Sequence, residues 1–427
     1  MHAAEYPLTA AMRADGEPLS VSEYVATGGY EGLRKALAAM TPQEVQNVVK
    51  DSNLRGRGGA GFPTGQKWGL IPMGSDAPRP KYIISNSDEM EPGTFKDRLL
   101  MEGNPHQLIE GLIIAGYAIQ ADIAIIFLRW AYAKSQKRLS QAITEAYTKG
   151  YLGKNILGSG FTMEMDLHVS AGRYICGEET ALLNALEGER PIPRSRPPFP
   201  QACGAFGLPA IVNNAETLSN IPHIVRNGAE WYRSLSKSDD GGTKIYGVSG
   251  RVKNPGVWEL PMGTTIRELL EEHARGMQDG YTFRAVIPGG ASTDFLVGDH
   301  MDVKMDFASL QKAGSRLGTG TMIVLDQRTC PVGMVHNLER FFARESCGWC
   351  TPCREGLPWV EKTLASIESG DGRPEDLDIL EMHTRLLRPG HTFCVHAPGA
   401  MEPIQSALKY FREDFEEHIR QRRCPFE

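Results

Sequence analysis

Nothing in this sequence is both apolar enough and long enough to cross a membrane. The most apolar region, Leu108 to Leu128, is interrupted by Glu110, Gln120 and Asp122. A core helix followed by a core strand accounts for it better than a membrane span. A basic surplus is also missing: 46 Lys and Arg stand against 52 Asp and Glu, a formal net charge of −6. That argues against a general nucleic-acid or anionic-membrane binder. The start, Met1-His-Ala-Ala-Glu-Tyr-Pro, lacks the basic stretch and apolar core of a secretory signal, so the cytoplasm is the expected address. No internal repeat and no low-complexity tail stands out. The eight cysteines are even in number, but three of them fall within the seven residues Cys347 to Cys353. In a reducing compartment such crowding points to a metal or to catalysis rather than to disulfides.

A length of 427 residues suffices for two or three domains with buried cores. Residues 30–54 carry apolar side chains at helical spacing and open into Arg55-Gly-Arg-Gly-Gly-Ala-Gly-Phe-Pro-Thr-Gly65. A strand is expected at Lys81–Asn86, a helix at His106–Ile119, a strand at Ile123–Leu128 and a helix at Ala131–Thr148. A strand at Phe161–Val169 and a helix at Ala181–Leu186 follow. Strands alternating with amphipathic helices predict an α/β layer around a mainly parallel sheet. The five prolines of Arg190–Pro200 impose an extended loop. From Lys244 to Leu325 the segments are short and β-rich, with one helix at Thr265–Ala274, which reads as a small α+β domain. From Val332 onward helical periodicity returns as a bundle of about four helices. The expected division is 1–238, 239–330 and 331–427.

The strongest motif is Cys347-Gly-Trp-Cys350-Thr-Pro-Cys353. Three thiolates within one short turn repel one another unless a cationic centre offsets them. Structural zinc normally takes two separate residue pairs, whereas C-x₂-C-x₂-C with a distant fourth cysteine is an iron–sulfur spacing. Cys394, flanked by Arg388-Pro-Gly-His391 and Ala397-Pro-Gly399, sits on an inter-helical loop and is the natural fourth ligand. His391 and His396 are alternatives for that place, and a zinc-clamped bundle is the alternative for the whole site. Cys203, Cys330 and Cys424 read as small buried hydrophobes or surface thiols.

Gly56-Arg-Gly-Gly-Ala-Gly61 satisfies G-x-G-x-x-G, but a helix precedes it and Phe62-Pro63 follows. It is therefore not an ordinary dinucleotide turn. Its glycines expose backbone N–H groups, and Arg55, Arg57 and Lys67 add positive charge suited to phosphate oxygens; a plain mobile loop is the alternative. Two acidic loops, Asn86-Ser-Asp-Glu-Met-Glu91 and Gly177-Glu-Glu179, follow strands. Ligands of open α/β sheets bind beyond strand carboxyl ends, where carboxylates hold ribose hydroxyls and repel a 2′-phosphate. Glu178 and Glu179 serve equally well as stabilisers of a helix N-terminus. Val212-Asn213-Asn214 offers amide groups or a helix cap.

With these segments in chain order, the sequence resembles the NADH-binding flavoprotein (F) subunit of respiratory complex I. The matching stretches are Arg55–Lys67, Asn86–Arg98, Gly172–Gly188, Pro197–Pro200, Asn213–Thr217 and Glu345–Gly356. The resemblance implies FMN as the bound flavin, NADH as hydride donor and a [4Fe-4S] cluster on Cys347, Cys350, Cys353 and Cys394. It also implies a Rossmann-like FMN/NADH domain, a β-grasp domain of the soluble-ligand-binding type and a helical bundle. By resemblance, the FMN contacts are Gly56, Arg57, Gly58, Lys67, Asn86, Asp88, Glu89, Tyr174, Gly177, Glu178, Glu179, Asn213, Asn214 and Thr217. The NADH contacts implied are Gly59, Ala60, Phe62, Glu91, Glu179, Arg196 and Phe199. Phe62 and Phe199 suit an adenine ring. Ser87 stands where the family usually has alanine, and Arg196 where it usually has lysine, with the charge kept but the geometry changed. No side-chain acid or base is implied for hydride transfer. The implied partners are a thioredoxin-like [2Fe-2S] subunit and a large iron–sulfur subunit on the cytoplasmic face of a membrane complex. The rival within the resemblance is the diaphorase component of a soluble NAD-linked hydrogenase or formate dehydrogenase.

Overall fold

Thr41-Pro42-Gln43-Glu44 shows how closely local sequence sets the helix starts. The Thr41 hydroxyl accepts the Glu44 N–H, and the Glu44 carboxylate accepts the Thr41 N–H at 2.7 Å. This reciprocal cap has proline at the first helical position, where no N–H is needed. The structure, a computed structural model, describes residues 5–426 and divides into two units. The first takes in Met1–Met90, Phe95–Ile245 and Glu259–Gly263.

The first unit begins with α1 (Val21–Ala26), α2 (Glu31–Ala39), α3 (Pro42–Asp51) and α4 (Thr64–Trp68). β1 (Tyr82–Ser87), α5 (Asp97–Gly103), α6 (Pro105–Ile119), β2 (Ile123–Arg129) and α7 (Ala133–Thr148) follow. β3 (Glu164–Ser170), α8 (Glu179–Leu186), β4 (Ala210–Asn214), α9 (Ala215–Asn227) and α10 (Ala229–Ser234) complete it. The four strands are all parallel, in the order β3-β2-β1-β4. Successive strand residues face opposite sides. Ile83, Ala124, Ile126, Leu128 and Ile211 join the larger core. Tyr82, Ile84, Ile125, Phe127 and Val212 join a second core with Leu182 and Leu183 of α8. Both faces are thus covered, as a parallel sheet requires.

Helix α6 is apolar on nearly every side because it lies among α3, α7, α9 and β1. Glu110, the charge within this apolar stretch, is buried and accepts hydrogen bonds from the Tyr24 hydroxyl at 2.6 Å, the Tyr30 N–H at 2.8 Å and the Leu33 N–H at 3.0 Å. It thereby satisfies the start of α2, where Tyr30 adopts a φ of 59°. Val212-Asn213-Asn214, read from sequence as amide donors or a cap, is the end of a fourth strand. β4 lies on the opposite side of β1 from β2 and β3. The winding of the chain therefore reverses between β1 and β4, and at such a reversal an open α/β sheet leaves a crevice beyond its carboxyl ends.

The second unit takes in Glu91–Thr94, Tyr246–Trp258 and Thr264–Glu427. Strands β5 (Thr243–Ser249), β6 (Gly256–Pro261), β7 (Phe283–Ile287), β8 (Leu296–Val297) and β9 (Thr321–Asp326) make a mixed sheet ordered β6-β5-β9-β7-β8. The helix expected at Thr265–Ala274 forms over Glu268–His273, wound as the wider π form. After α11 (Phe307–Lys312) come α12 (Pro331–Glu345), α13 (Thr351–Ser369), α14 (Glu375–Leu386), α15 (His396–Tyr410) and α16 (Arg412–Gln421). α12 packs on α13 and α15, and α14 on α13 and α15. The apolar run from Ile404 to Ile419 is divided between α15 and α16. Phe411 leaves helical geometry at φ −128° and sets its ring against Phe295 and the Arg284 guanidinium. Among the described residues no helix is long and apolar enough to cross a membrane.

Candidate functional site

The glycine segment closes on itself. The Gly56 N–H donates to Phe62 O at 2.9 Å and the Thr64 N–H to Leu54 O at 2.9 Å, so Arg55–Pro63 is a loop with paired ends. Gly59 has φ 123° and Gly61 φ 66°, conformations that side chains disfavour. A Cβ on Gly58 would stand 3.0 Å from Asn214 Cβ. Only glycine lets this loop lie so close to the end of β4. Phe62-Pro63 does not prevent a helix altogether, since the short α4 begins directly after Pro63.

Arg57 is held by the fold. Its guanidinium is fully buried and donates to Gly241 O at 2.7 Å, Thr243 O at 3.0 Å and the Tyr232 hydroxyl at 3.3 Å. Its charge is directed into the core rather than toward a phosphate. Its own N–H donates to Thr217 Oγ1 at 2.8 Å, which ties the loop to the first turn of α9.

The carboxyl ends of β1 and β4 are neighbours, with Asn86 opposite Asn214. The Asn86 amide donates to Cys176 O at 3.0 Å, and Trp68 donates to Asn213 Oδ1 at 2.9 Å. Asn214 caps α9 by accepting the Thr217 N–H and donates to Asp97 at 2.6 Å. Asp88 accepts from the Ser170 hydroxyl at 2.9 Å, linking the ends of β1 and β3. Tyr174–Gly177 forms a short 3₁₀ turn, and the Cα of Gly177 faces open space. Glu178 caps α8 through the Ala181 N–H at 2.8 Å and pairs with Arg196. Glu179 lies 2.5 Å from Lys67 Nζ and 3.3 Å from Arg196. Lys67 also donates to Val212 O at 2.7 Å. Phe62 and Phe199 are 47% and 54% exposed, and Ala60 is exposed beside Phe62 in sequence on the loop. Large aromatic faces left in solvent suit a stacking ligand.

Glu89 is likewise engaged within the fold. It is buried and accepts the Lys96 and Asp97 N–H groups, both at 2.9 Å, with the Tyr132 hydroxyl at 3.2 Å. Burial and the neighbouring Asp97 push its carboxyl up to about 7. Its oxygens serve the start of α5. Glu91 belongs to the second unit, where its carboxylate accepts the Ser292 N–H at 2.7 Å.

Sequence reasoning missed the charges beneath this crevice. Lys96 Nζ lies 2.7 Å from Asp97 and 2.5 Å from Glu216, and Lys244 Nζ lies 3.3 Å from Glu216. Burial lowers Lys244 to about 7 despite the Glu216 carboxylate, with Lys96 and Arg57 adding repulsion. The Glu216 carboxylate also accepts the Ile245 N–H at 2.9 Å. Through Asp97 the cluster holds Asn214, so a buried ion network orients a strand-end amide. Such pairing across the fold leaves no local spacing signal.

In the second unit Cys347, Cys350 and Cys394 all lie near enough to Cys353 to act on its thiol electrostatically. The Cys353 thiol is pushed up to about 12 by burial, with Cys350, Cys394 and Cys347 all adding repulsion. Mutual repulsion among four sulfurs is what a cationic centre relieves, and this donor set fits an iron–sulfur cluster. The Cys353 sulfur also lies 3.2 Å from the Ser346 hydroxyl, and Cys350 opens α13 at its N-cap. His396 Nε2 donates to Phe342 O, 2.9 Å away and buried, so that nitrogen is committed elsewhere than to the thiols.

A doubly covered parallel sheet with a glycine loop against its switch point defines a nucleotide-binding module, here joined in one chain to a cysteine-rich helical unit. Residues 49–223 match the Nuo51 FMN-binding domain, 245–295 the SLBB domain and 333–418 the NADH-ubiquinone oxidoreductase-F iron-sulfur binding region. The chain is 57% identical to the F subunit of NADH-quinone oxidoreductase in Escherichia coli (strain K12), over 97% of this chain and 93% of that protein. It is 47% identical to the protein of the same name in Streptomyces coelicolor, over 99% of this chain and 93% of that protein. A crystal structure of NAD+-reducing [NiFe]-hydrogenase in the H2-reduced state superposes with a TM-score of 0.81. It is 36% identical and covers 95% of this chain and 67% of that one. The chain belongs to the family of NADH-quinone oxidoreductase F subunits.

Proposed function

We propose that this chain admits electrons to a respiratory NADH:quinone oxidoreductase, with the β1/β4 crevice as its flavin and nicotinamide site. The chain is an NADH-oxidising oxidoreductase subunit with FMN and [4Fe-4S] cofactors. When bound, FMN takes a hydride from NADH, and the cluster carries electrons away singly. The observation that carries this reading is the convergence of the glycine loop, Lys67, Glu179, Asn86 and Asn214 on neighbouring strand ends.

The roles of this chain's residues follow from that placement. Gly177 leaves room for a planar ring system, Gly56 and Gly58 bring the loop backbone close to the strand ends, and Lys67 offers an ammonium to a phosphate. Asn86, Asp88, Tyr174, Glu178, Asn213, Asn214 and Thr217 supply polar contacts. Arg57 and Glu89 act behind the site by holding the loop and the start of α5. Phe62 and Phe199 stack the adenine, with Gly59 and Ala60 alongside and Glu179 and Arg196 reading the ribose. No side chain moves a proton in the transfer; the residues bind, orient and exclude water. Cys347, Cys350, Cys353 and Cys394 hold the cluster.

The same reading divides the chain at 1–238, 239–330 and 331–427. It supplies a thioredoxin-like [2Fe-2S] subunit and a large iron–sulfur subunit as partners, at the cytoplasmic face of the membrane. Nearly full-length identity of 57% to the Escherichia coli F subunit, against 36% to the hydrogenase chain, favours this assembly over a soluble hydrogenase diaphorase. Reconstitution with FMN, iron and sulfide should yield flavin absorbance, an NADH-reducible EPR signal and NADH:ferricyanide reduction. A reconstituted protein without flavin or activity would sink the proposal.

A further inference from the structure

Two cysteines outside the cluster set meet in the second unit. Cys330 caps the start of α12, Glu368 stands near the end of α13, His418 lies on α16, and Cys424 follows it. One ligand atom from each of the four lies within 4.8 Å of all the others. Cys330 Sγ is 3.3 Å from His418 Nε2 and 3.4 Å from Glu368 Oε2, and His418 Nε2 is 3.3 Å from Glu368 Oε2. These separations are close to the edges of a tetrahedron around zinc. Bonds of roughly 2.3 Å to sulfur and 2.0–2.1 Å to nitrogen or oxygen leave ligand atoms roughly 3.3–3.8 Å apart.

Three further features prepare the group for a metal. His418 Nδ1 lies 2.6 Å from Asp414 O, and a proton held there leaves the Nε2 lone pair directed at the cluster. Cys330 Sγ accepts the Gly333 N–H at 3.1 Å as the N-cap of a fifteen-residue helix, which fixes the position of the sulfur. His418 is fully buried and Cys424 is 4% exposed, with the Phe426 ring stacked on the imidazole. A half-buried set of two thiols, one imidazole and one carboxylate has the ligand types of a structural zinc site.

We propose that Cys330, Glu368, His418 and Cys424 bind one zinc ion that fastens α16 and the chain after it to α12 and α13. On binding, the two thiols release their protons to solvent, and no redox change occurs. None of these residues belongs to the tetrathiol set, so this proposal stands independently of the flavin and cluster assignments.

The test is metal analysis and zinc X-ray absorption on the purified holoprotein, with iron and acid-labile sulfide measured on the same sample. The expected result is one zinc per chain in a shell of two sulfurs and two lighter atoms, alongside a full complement of iron. Zinc absent on isolation but taken up at one per chain from added Zn(II), into the same shell, gives the same support. The Cys424→Ser/His418→Asn double variant should lose the zinc and keep its iron and its NADH:ferricyanide activity. A shell of four sulfurs, no uptake of added Zn(II), or a Cys330–Cys424 disulfide in the intact mass each overturns the proposal. The wild-type measurements decide the matter even where the double variant does not fold.

Discussion

Lys67 Nζ and Glu179 Oε2 lie 2.5 Å apart, joining the helix after the glycine loop to the first turn of α8. Arg196 stands 3.3 Å from the same glutamate. If Glu179 reads a ribose hydroxyl, its charge is also what excludes a 2′-phosphate. Removing one charge roughly 6 Å away, at an effective dielectric of about 20–40, is worth roughly 1.4–3 kcal/mol. Glu179→Gln should therefore raise kcat/KM for NADPH about tenfold to a hundredfold, with Arg196 released toward the new phosphate. Unchanged NADH/NADPH discrimination in steady-state kinetics would remove Glu179 from that role.

The proposed fourth ligand, Cys394, comes from a different loop than Cys347, Cys350 and Cys353. Cys394→Ala should leave a three-thiolate site with less iron and sulfide and an altered EPR signal, while FMN content stays whole. A fully occupied and spectroscopically unchanged cluster would mean that another group is the fourth ligand.

Arg57 donates to two buried carbonyls from one planar group. Arg57→Leu leaves Gly241 O and Thr243 O wanting, at about 1–3 kcal/mol for each unsatisfied group. The urea midpoint of the first unit should fall by an amount equivalent to several kcal/mol. Arg57→Lys keeps the charge but not the length and shape of the guanidinium, so it should recover only part of this. A midpoint within experimental error of the wild type would mean that the guanidinium contributes nothing to the fold.

Glu259 carries a pH dependence opposite in sign to that of an ordinary salt-bridged carboxylate. It accepts from Thr243 Oγ1 at 2.6 Å, from the Leu8 N–H at 3.1 Å and from the Thr9 N–H at 2.8 Å, yet burial raises it from 4.5 to about 7. The folded chain thus binds a proton that the unfolded chain has released between pH 4.5 and 7. Its contribution is whole below pH 4.5 and is lost as the pH rises through 7. At 1.36 kcal/mol for each tenfold step, the loss amounts to at most about 3 kcal/mol. Unfolding of Glu259→Gln, followed from pH 5 to 8, should show a flatter stability profile than the wild type. Parallel profiles would place the titration elsewhere.

The parts of this fold legible in the sequence are those set by one local pattern. β1, β2 and β3 and helices α6 and α7 follow from alternating or helical apolar spacing, and C-x₂-C-x₂-C announces its metal chemistry through three residues alone. The loop position of Cys394 follows from Pro389-Gly390 before it, whereas Pro398-Gly399 after it lies inside α15. β4 is hidden because its five residues end in Asn213-Asn214, which read more naturally as a turn. Arg57 and Glu89 sit within motif-like runs, yet their side chains are directed by distant groups: carbonyls at 241 and 243, and the start of α5. The ion network of Lys96, Asp97, Glu216 and Lys244 and the Cys330–His418 cluster pair residues far apart in the chain. No window of sequence contains either.

The winding reversal at β1 and β4 also sets an order of events during synthesis. One wall of the crevice ends at Asn86, but the other, Asn214, is made only after β2, β3 and α8 have emerged. A growing chain has no flavin pocket until its fourth strand has inserted beside its first. Cofactor loading is therefore a late step, and ribosome-bound chains stalled before Ala210 should hold no FMN while those stalled well beyond α9 do.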